Sequence, residues 1–400
     1  MSEGAPIGFL WWALPTKLRA AGVEIGQISL FVSLLAFPWA LKFLWAPLVD
    51  IGRSKYWGLR SWIVSMQILM GVSLLPLIVL DLHADFPLVL PLLFIHAMAA
   101  ATQDVAIDAL CINSTPDVER GSINGWMQVG MLSGRSLFGG GTLLIGVYAG
   151  EAGVVLALVA VIWFSALLVL MSREPDSPVD YSRHDRLTSF IDTLRRVVRN
   201  RKSWIALVFA GIAGAAYEAV GSVAGPYLID RGFDQAAIGL FFAGPAVLAM
   251  ALGALGGGYV SDTIGRRLSV GLFLAAFSGA VLLLALADGV AEAERNGMIL
   301  PLMVLLYLCI GLFTASSYAL FMDLTDPRLG GMQFSAYMGG TNGCESWSAF
   351  AVGRLIPPLG YPAAFAIMSL ISLATLPLLM FLGVPKDLPA RSSVSLPTTE

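Results

Sequence analysis

The chain repeats itself at a fixed offset of 210 residues. Five positions of the first half recur with the same residue type in the second half: Gly22 and Gly232, Ile28 and Ile238, Phe31 and Phe241, Thr115 and Thr325, and Gly121 and Gly331. A repeat of this length divides the 400 residues into two copies of one unit. We therefore expect two similar halves related by an internal pseudo-symmetry.

The composition places both units in a membrane. Apolar residues make up 57% of the chain and charged residues only 13%, whereas soluble domains carry about 25% charged residues. So few charges cannot solvate a globular surface of this size, so lipid must surround most of it. The net charge of -3 gives no reason to expect a nucleic acid or another polyanion as a partner.

The apolar runs predict an all-α membrane protein with twelve spans, because about 20 mostly apolar residues cross a bilayer as a helix. The spans lie near residues 4–20, 25–48, 61–81, 87–111, 122–149, 153–172, 204–228, 236–260, 268–287, 299–322, 333–352 and 362–383. The predicted domains are a six-helix bundle over 1–172, a linker over 173–203, a second bundle over 204–384 and a tail over 385–400.

The basic residues predict the orientation. Loops on one side hold five of the 24 basic residues, namely Lys17, Arg19, Arg231, Arg295 and Arg354, and the other side holds seventeen. The positive-inside rule puts that second side in the cytoplasm, together with both termini and the linker. We therefore expect a multi-pass protein of a bacterial-type inner membrane. Of the 24 basic residues, only Lys42 and Arg135 remain inside the membrane.

The first span is short at its start. Glu218 lies about halfway along the seventh span, and its repeat position is Gly8, which has only seven residues before it. We expect either that the natural start lies upstream of Met1 or that this helix is short on the cytoplasmic side.

The linker contains apolar residues at helical spacing, and arginines flank them. The apolar set is Leu187, Phe190, Ile191, Leu194, Val197 and Val198. This pattern predicts an amphipathic helix that lies either on the inner leaflet or against the protein itself.

Two loops carry related motifs. Residues 258–267 read GYVSDTIGRR after the eighth span, and residues 50–55 read DIGRSK after the second. The GxxxDxxGRR pattern resembles the cytoplasmic loop motif of the major facilitator superfamily, which implies that family's twelve-helix fold. Its small Gly permits close helix approach, and its Asp caps a helix or pairs with Arg. We predict a gating role for Asp50, Arg53, Gly258, Asp262, Gly265, Arg266 and Arg267.

A narrower resemblance covers the first five spans. Residues 42–50 read KFLWAPLVD and residues 101–109 read ATQDVAIDA, and Arg120-Gly121, Asn124-Gly125 and Gln128-Val129-Gly130 follow. These segments resemble the AmpG-like permeases, a clade of muropeptide permeases, acetyl-CoA transporters and siderophore permeases. The resemblance implies a proton-coupled importer in which the aspartates of the fourth span take part in coupling.

Asp104 and Asp108 lie one turn apart in the fourth span, and Lys42 lies at a similar depth in the second. An ionisable residue inside a span costs about 3 kcal/mol on insertion scales, so each needs an explanation. Two carboxylates that face one cavity repel each other, and one of them can then take up a proton. In one interpretation Asp104 carries the coupling proton and Lys42 modulates it as part of the gate. In the other, Lys42 forms a structural ion pair and Asp108 reaches the interface.

Arg135, Glu218 and Glu345 form a second charged group. Each lies twelve to fourteen residues into a span that starts on the cytoplasmic side, which places all three near the midplane. Arg135 and Glu345 are also repeat partners, so they should lie on opposite walls of a central cavity. Arg135 could grip a carboxylate or phosphate, and Glu218 could carry a proton or contact the solute. Alternatively, the charges form a salt bridge that closes the two halves.

Several polar and aromatic residues are further candidates for substrate contact. They are Gln103, Asn124, Gln128, Tyr217, Tyr318 and Asn342, with Trp11, Trp12 and Ser346 beside them. Each alone is more often a packing residue between helices. The superfamily resemblance implies a cavity lined by spans one, four, seven and ten, with spans two, five, eight and eleven beside them.

The predicted function is secondary active transport by alternating access, with protons driving the import of a polar or anionic solute. The alternatives are an uncoupled facilitator or an exporter of a small amphipathic solute. A membrane-bound enzyme is disfavoured because the chain has no HExxH, GxSxG or phosphate-loop motif. Cys111, Cys309 and Cys344 show no metal spacing. We expect a monomer without a cofactor, whose partners are the solute, protons and lipid.

Overall fold

The computed structural model describes residues 2–52, 54, 57–81, 84–114, 120–172, 195, 201–290, 292–325 and 330–382. Regular structure in these residues is helical. The predicted amphipathic helix of the linker, the tail over 385–400 and Arg53 lie outside the described residues. The predicted linker ends at 203, whereas the first helix of the second half already begins at Arg201.

The first half contains six helical spans. Helix α1 covers residues 4–20 and consists of Gly4–Gly8, a π-helical segment at Phe9–Ala13, and Leu14–Ala20. The next helices are α2 (Ile25–Ile51), α3 (Leu59–Leu74, extended by a 3-10 turn at Leu75–Ile78) and α4 (Phe86–Ser114). Helix α5 covers 120–149 with a π-helical segment at Ser136–Gly140, and α6 covers 151–171.

The second half contains the other six. Helix α7 (Arg201–Asp230) has a turn at residues 213–214, and α8 (Gln235–Ile264) bends at residue 244 in front of a proline. They are followed by α9 (Arg266–Ala287), α10 (Glu292–Leu324), α11 over 330–359 and α12 over 361–381, which has a turn at residues 374–377. Proline at the first helical position after the bend fits, since it has no N–H to donate.

Helix length settles how many times the described chain crosses the bilayer. Nine segments are long and apolar enough to cross, but two of them, Val129–Met171 and Gln333–Phe381, have 43 and 49 residues. As single helices these two would be about 65 and 74 Å long, against a hydrocarbon core of about 30 Å. Each is divided by a glycine with non-helical torsion angles. With α1 added, the described residues form twelve helices, as the sequence predicts.

The backbone confirms the internal repeat. Gly22 and Gly232 have φ values of +88° and +85°, and Gly150 and Gly360 have +69° and +77°. Both pairs differ by 210 residues, and positive φ in this range is a conformation that L side chains rarely adopt. The first pair ends α1 and α7, and the second pair forms the turns that reverse the chain after α5 and α11.

Glycines let α8 and α10 pack backbone to backbone. A Cβ built on Gly253 would lie 2.1 Å from the Leu308 carbonyl oxygen, and one on Gly257 would lie 2.4 Å from that of Leu312. At Gly258, however, a Cβ would meet no described atom within 4 Å. The predicted close approach at Gly258 was therefore wrong, because the preceding glycine faces α10 instead.

Gly253→Ala should destabilise the protein by about 1–3 kcal/mol, because the added methyl group overpacks the contact with α10. Gly258→Ala is the matched control in the same helix, and it should be neutral or stabilising by about 0.5–1 kcal/mol. Thermal unfolding of the purified variants in one detergent measures both effects. Equal midpoints for the two variants would contradict the close-packing assignment.

Candidate functional site

A cavity of about 230 Å³ lies between the two halves. Helices α1 and α5 of the first half and α7, α8, α10 and α11 of the second line it. The cavity is halfway along these helices, so its walls lie near the centre of the membrane. We refer to the side of the protein that carries residues 2 and 382 as the terminal face, and to the other side as the opposite face.

The three midplane charges of the sequence analysis line this cavity together: Arg135 on α5, Glu218 on α7 and Glu345 on α11. Arg135 interacts electrostatically with both carboxylates, but among the described residues neither acid is close enough to form an ion pair with it. The Nε atom of Arg135 is buried and has no hydrogen-bond partner in the described chain. Within the described residues this guanidinium therefore has no acidic or carbonyl hydrogen-bond partner.

Aromatic rings form much of the remaining wall. Trp11, Trp12, Tyr217, Tyr307 and Tyr318 line the cavity. Tyr318 is 37% exposed, which places the α10 wall in reach of solvent. Rings with a polar edge suit a solute that has both apolar and hydrogen-bonding surfaces.

Only some of the residues predicted to contact the solute are placed at the cavity by the described structure. Tyr217, Tyr318 and Asn342 line the cavity, and the Asn342 amide also donates to the carbonyl oxygen of Trp39 at 3.2 Å. The side chains of Asn124 and Gln128 lie outside the described part of the structure.

Gln103 is not brought to the cavity. It is buried, and its amide donates to the Ser2 hydroxyl at 3.4 Å. The prediction of a substrate contact there was wrong in its placement, because Gln103 faces the start of α1 rather than the space between the halves. Tyr307, Thr314 and Thr341 also line the cavity, and the sequence did not predict them as contact residues. Tyr307 and Thr314 lie eleven and four residues before Tyr318 in α10, and this spacing would have placed all three on one helix face.

A second cluster joins α1, α2 and α4. Lys42 forms an ion pair with Asp104 and lies 3.8 Å from the nearer carboxylate oxygen of Asp108. The Asp104 side chain is 6% exposed, whereas that of Asp108 is 52% exposed. Glu3, at the start of α1, also interacts with the carboxyl groups of both aspartates. Because Lys42 is shared, a change in the charge of one acid alters the binding of the others.

The loop motif of the second half holds four helices together, namely α8, α9, α10 and α12. Arg266 pairs with Asp262 at 2.5 Å and with Asp323 of α10 at 3.2 Å. Arg267 donates to the carbonyl oxygens of Leu379 at 2.9 Å and Met380 at 2.7 Å, and Gly265 turns the chain with φ +93°. Among the described residues these bonds stay within the second half. Asp50 lies in α2, but its side chain is not described.

The opposite face is closed by contacts between the halves. Arg19 of α1 binds Asp230 of α7 through two hydrogen bonds of 2.7 and 3.0 Å. The Tyr361 hydroxyl donates to the same carboxylate at 2.8 Å. Next to it, Arg231 pairs with Asp288 within the second half.

Small residues close the layer beneath these ion pairs. The Ser136 hydroxyl donates to the Ala243 carbonyl oxygen. A Cβ on Gly140 would lie 2.2 Å from the Ala243 nitrogen, and one on Gly225 would lie 1.8 Å from the Thr16 hydroxyl oxygen. The structure therefore shows the cavity shut off from the opposite face.

Two six-helix bundles related by an internal repeat, with a charged cavity between them, define a membrane transporter. The sequence profile of the Major Facilitator Superfamily matches residues 1–342 and 207–398. The chain belongs to this superfamily, as its loop motifs predict.

Relatives and solved structures agree with this assignment. The anhydromuropeptide permease of Escherichia coli K12 is 24% identical over 90% of this chain and 76% of its own length. A transporter designated AmpG 4 from Rickettsia conorii is 21% identical over 95% of this chain and 94% of its own. The structure of a D-xylose-proton symporter has a TM-score of 0.72 at 12% identity and covers 96% of this chain and 95% of its own. That of the nucleoside transporter NupG has a TM-score of 0.70 at 12% identity, with 95% and 98% covered.

Loss of the Arg19–Asp230 pair should open the opposite face. In Asp230→Asn the bidentate bond between the halves is lost, and a partly buried pair of this kind is worth about 1–2 kcal/mol, or roughly a 5- to 30-fold shift between states. The reporter is a cysteine at Gly221, which lines the cavity and has free space around its Cβ position. It is placed in a chain without Cys111, Cys309 and Cys344, and a membrane-impermeant maleimide is added from the opposite face.

Asp288→Asn is the matched control, because it breaks a pair that lies within one half. Labelling of the reporter should rise in Asp230→Asn and stay near the parent level in Asp288→Asn. Unchanged labelling in both variants would show that the pair does not hold the face closed.

Proposed function

We propose that this protein imports an anionic solute of the anhydromuropeptide class by alternating access, driven by protons. The observation that carries this proposal is the Arg135 guanidinium, which lies in the central cavity with its Nε donor unpaired among the described residues. A guanidinium without a bound acid is the side chain best suited to take the carboxylate of a solute. The relative from Escherichia coli is named for anhydromuropeptides, and peptides carry carboxylates.

The acid cluster around Lys42 supports proton coupling. Asp104 is nearly buried and bound to Lys42, and exposed Asp108 lies 3.8 Å from the same ammonium group. Protonation of Asp104 removes the charge that holds Lys42, which then turns to Asp108 or Glu3. A proton taken up here thus changes the contacts between α2 and α4, which is the type of event that can bias one bundle against the other.

The excess of basic residues on the terminal face supports a cytoplasmic location for that face. In that orientation the described state is closed toward the outside of the cell. Glu218 and Glu345 face Arg135 across the same cavity. Protonation of either acid would make the electrostatic potential around the guanidinium more positive, which favours an incoming anion.

Uptake of a labelled anhydromuropeptide into proteoliposomes tests the function. With an acidic exterior the wild type should accumulate solute above the external concentration, and a proton ionophore should abolish this. Asp104→Asn should lose accumulation but keep counterflow exchange, because exchange does not require net proton movement. Asp108→Asn is the matched control in the same helix and should lose less.

Uptake that does not depend on the proton gradient would overturn proton coupling and favour a facilitator. Accumulation by Asp104→Asn at the wild-type level would remove this residue from the coupling path. Export of the solute under the same gradient would contradict the proposed direction.

Arg135 should discriminate between charged and neutral solutes. Arg135→Ala should weaken binding of the carboxylate form by roughly 10- to 100-fold, since a hydrogen bond to a charged group contributes about 1.5–3 kcal/mol. The amidated analogue, which lacks the charge, should bind both proteins alike in an equilibrium binding assay. Equal losses for the two solutes would indicate a structural role for Arg135.

A further inference from the structure

Arg135 is held by the face of a tryptophan. Its guanidinium carbon lies 5.4 Å from the centre of the Trp12 ring. Phe242 stacks on the same tryptophan with 4.9 Å between centroids and 14° between planes, and Tyr307 meets it edge-on at 5.9 Å. Trp12 belongs to the first half, and Phe242 and Tyr307 belong to the second. The arginine thus rests on a ring that both halves fix in place.

The backbone around Trp12 is shaped to receive the indole. Trp12 is only 4% exposed, and a Cβ on Gly139 would lie 2.5 Å from its ring. Trp12 lies in the π-helical segment of α1, and Gly139 lies in that of α5, which begins directly after Arg135. Such π-helical segments are rare and occur frequently at functional sites. Here they place the Trp12 ring of α1 next to the Arg135 guanidinium of α5.

The contact with Trp12 supplies no hydrogen-bond acceptor to Arg135. A ring face attracts the positive charge of the guanidinium, so oxygen acceptors are still needed for its five N–H donors. The buried Nε of Arg135 has no partner in the described chain. A buried donor without a partner costs free energy, and a bound carboxylate would remove that cost.

We propose that Trp12 is a positioning residue that fixes the guanidinium plane of Arg135 so that its N–H donors meet the carboxylate of the solute. This rests on the proposed role of Arg135 in binding. Trp12 contributes no polar contact of its own; its effect is transmitted by the arginine. Trp11 differs, because it lines the same cavity but packs against Trp39 at 5.2 Å.

A double-mutant cycle tests this proposal with purified protein. Trp12→Leu, Arg135→Ala and the double variant are compared with wild type by equilibrium binding of three probes: a labelled anhydromuropeptide, its fully amidated analogue and inorganic phosphate. Trp11→Leu is the matched control, and Trp12→Phe retains a ring under the guanidinium. Thermal unfolding and size-exclusion profiles establish that each variant is folded.

Trp12→Leu should weaken binding of the carboxylate form about tenfold, within the range of a desolvated cation–π contact. It should leave the binding of the amidated form unchanged. In the Arg135→Ala background it should weaken binding of the carboxylate form by less than about twofold. Trp12→Phe should retain most of the affinity, and Trp11→Leu should affect both solutes equally. If Trp12→Leu does not fold, Trp12→Phe replaces it in the test. Trp12→Phe should then bind the carboxylate form about two- to threefold more weakly than the wild type and the amidated form equally well.

Equal loss for both solutes in Trp12→Leu, or the same loss without Arg135, would overturn the positioning role and leave Trp12 as a packing residue. The phosphate titration separates this proposal from the proposed function. If the wild type binds phosphate with the expected Trp12 dependence but no muropeptide, the substrate class fails and the positioning role stands. If it binds none of the probes, the positioning role is overturned as well.

Discussion

The free-energy cost of an ion in hydrocarbon determines where this chain can place its charges. The charge pattern leaves two basic residues, Lys42 and Arg135, inside the membrane, and the structure compensates their charges in different ways. Lys42 is bound to Asp104 and shared with Asp108. Arg135 rests on an aromatic ring with its Nε donor unpaired among the described residues. Lys42 is therefore paired within the protein, whereas Arg135 has no such pair among the described residues.

The same constraint makes the glycines important. With few polar groups available inside the membrane, helices associate by close backbone packing, and among the described residues Gly140 and Gly225 make such close contacts between the halves. Gly140 and Gly225 close the layer between the cavity and the Arg19–Asp230 pair. One small-residue layer and one ion-pair layer thus separate the cavity from the opposite face. Both involve the two halves, so both must part when that face opens.

The repeat and the rarity of buried charge made much of this structure predictable. The offset of 210 residues linked Gly22 to Gly232 and Arg135 to Glu345, and both pairs occupy matching places. Helix rotation was harder to foresee. Gln103 precedes Asp104, yet a step of about 100° turns it toward Ser2. Three consecutive glycines end at Gly258, and only the coordinates show that Gly257 faces α10. The π-helical segments have no sequence signal. Glu3 precedes the first apolar run, so its place beside Asp104 and Asp108 was not predicted.

The proposed function requires that a solute binds to Arg135 between the two halves. A cryo-EM map of the protein with a bound anhydromuropeptide would locate that solute. We expect density for a solute carboxylate against the Arg135 guanidinium, with the Trp12 ring still in contact with this arginine. Density for the solute elsewhere, or an Arg135 that pairs with Glu218 or Glu345 while the solute is bound, would contradict it.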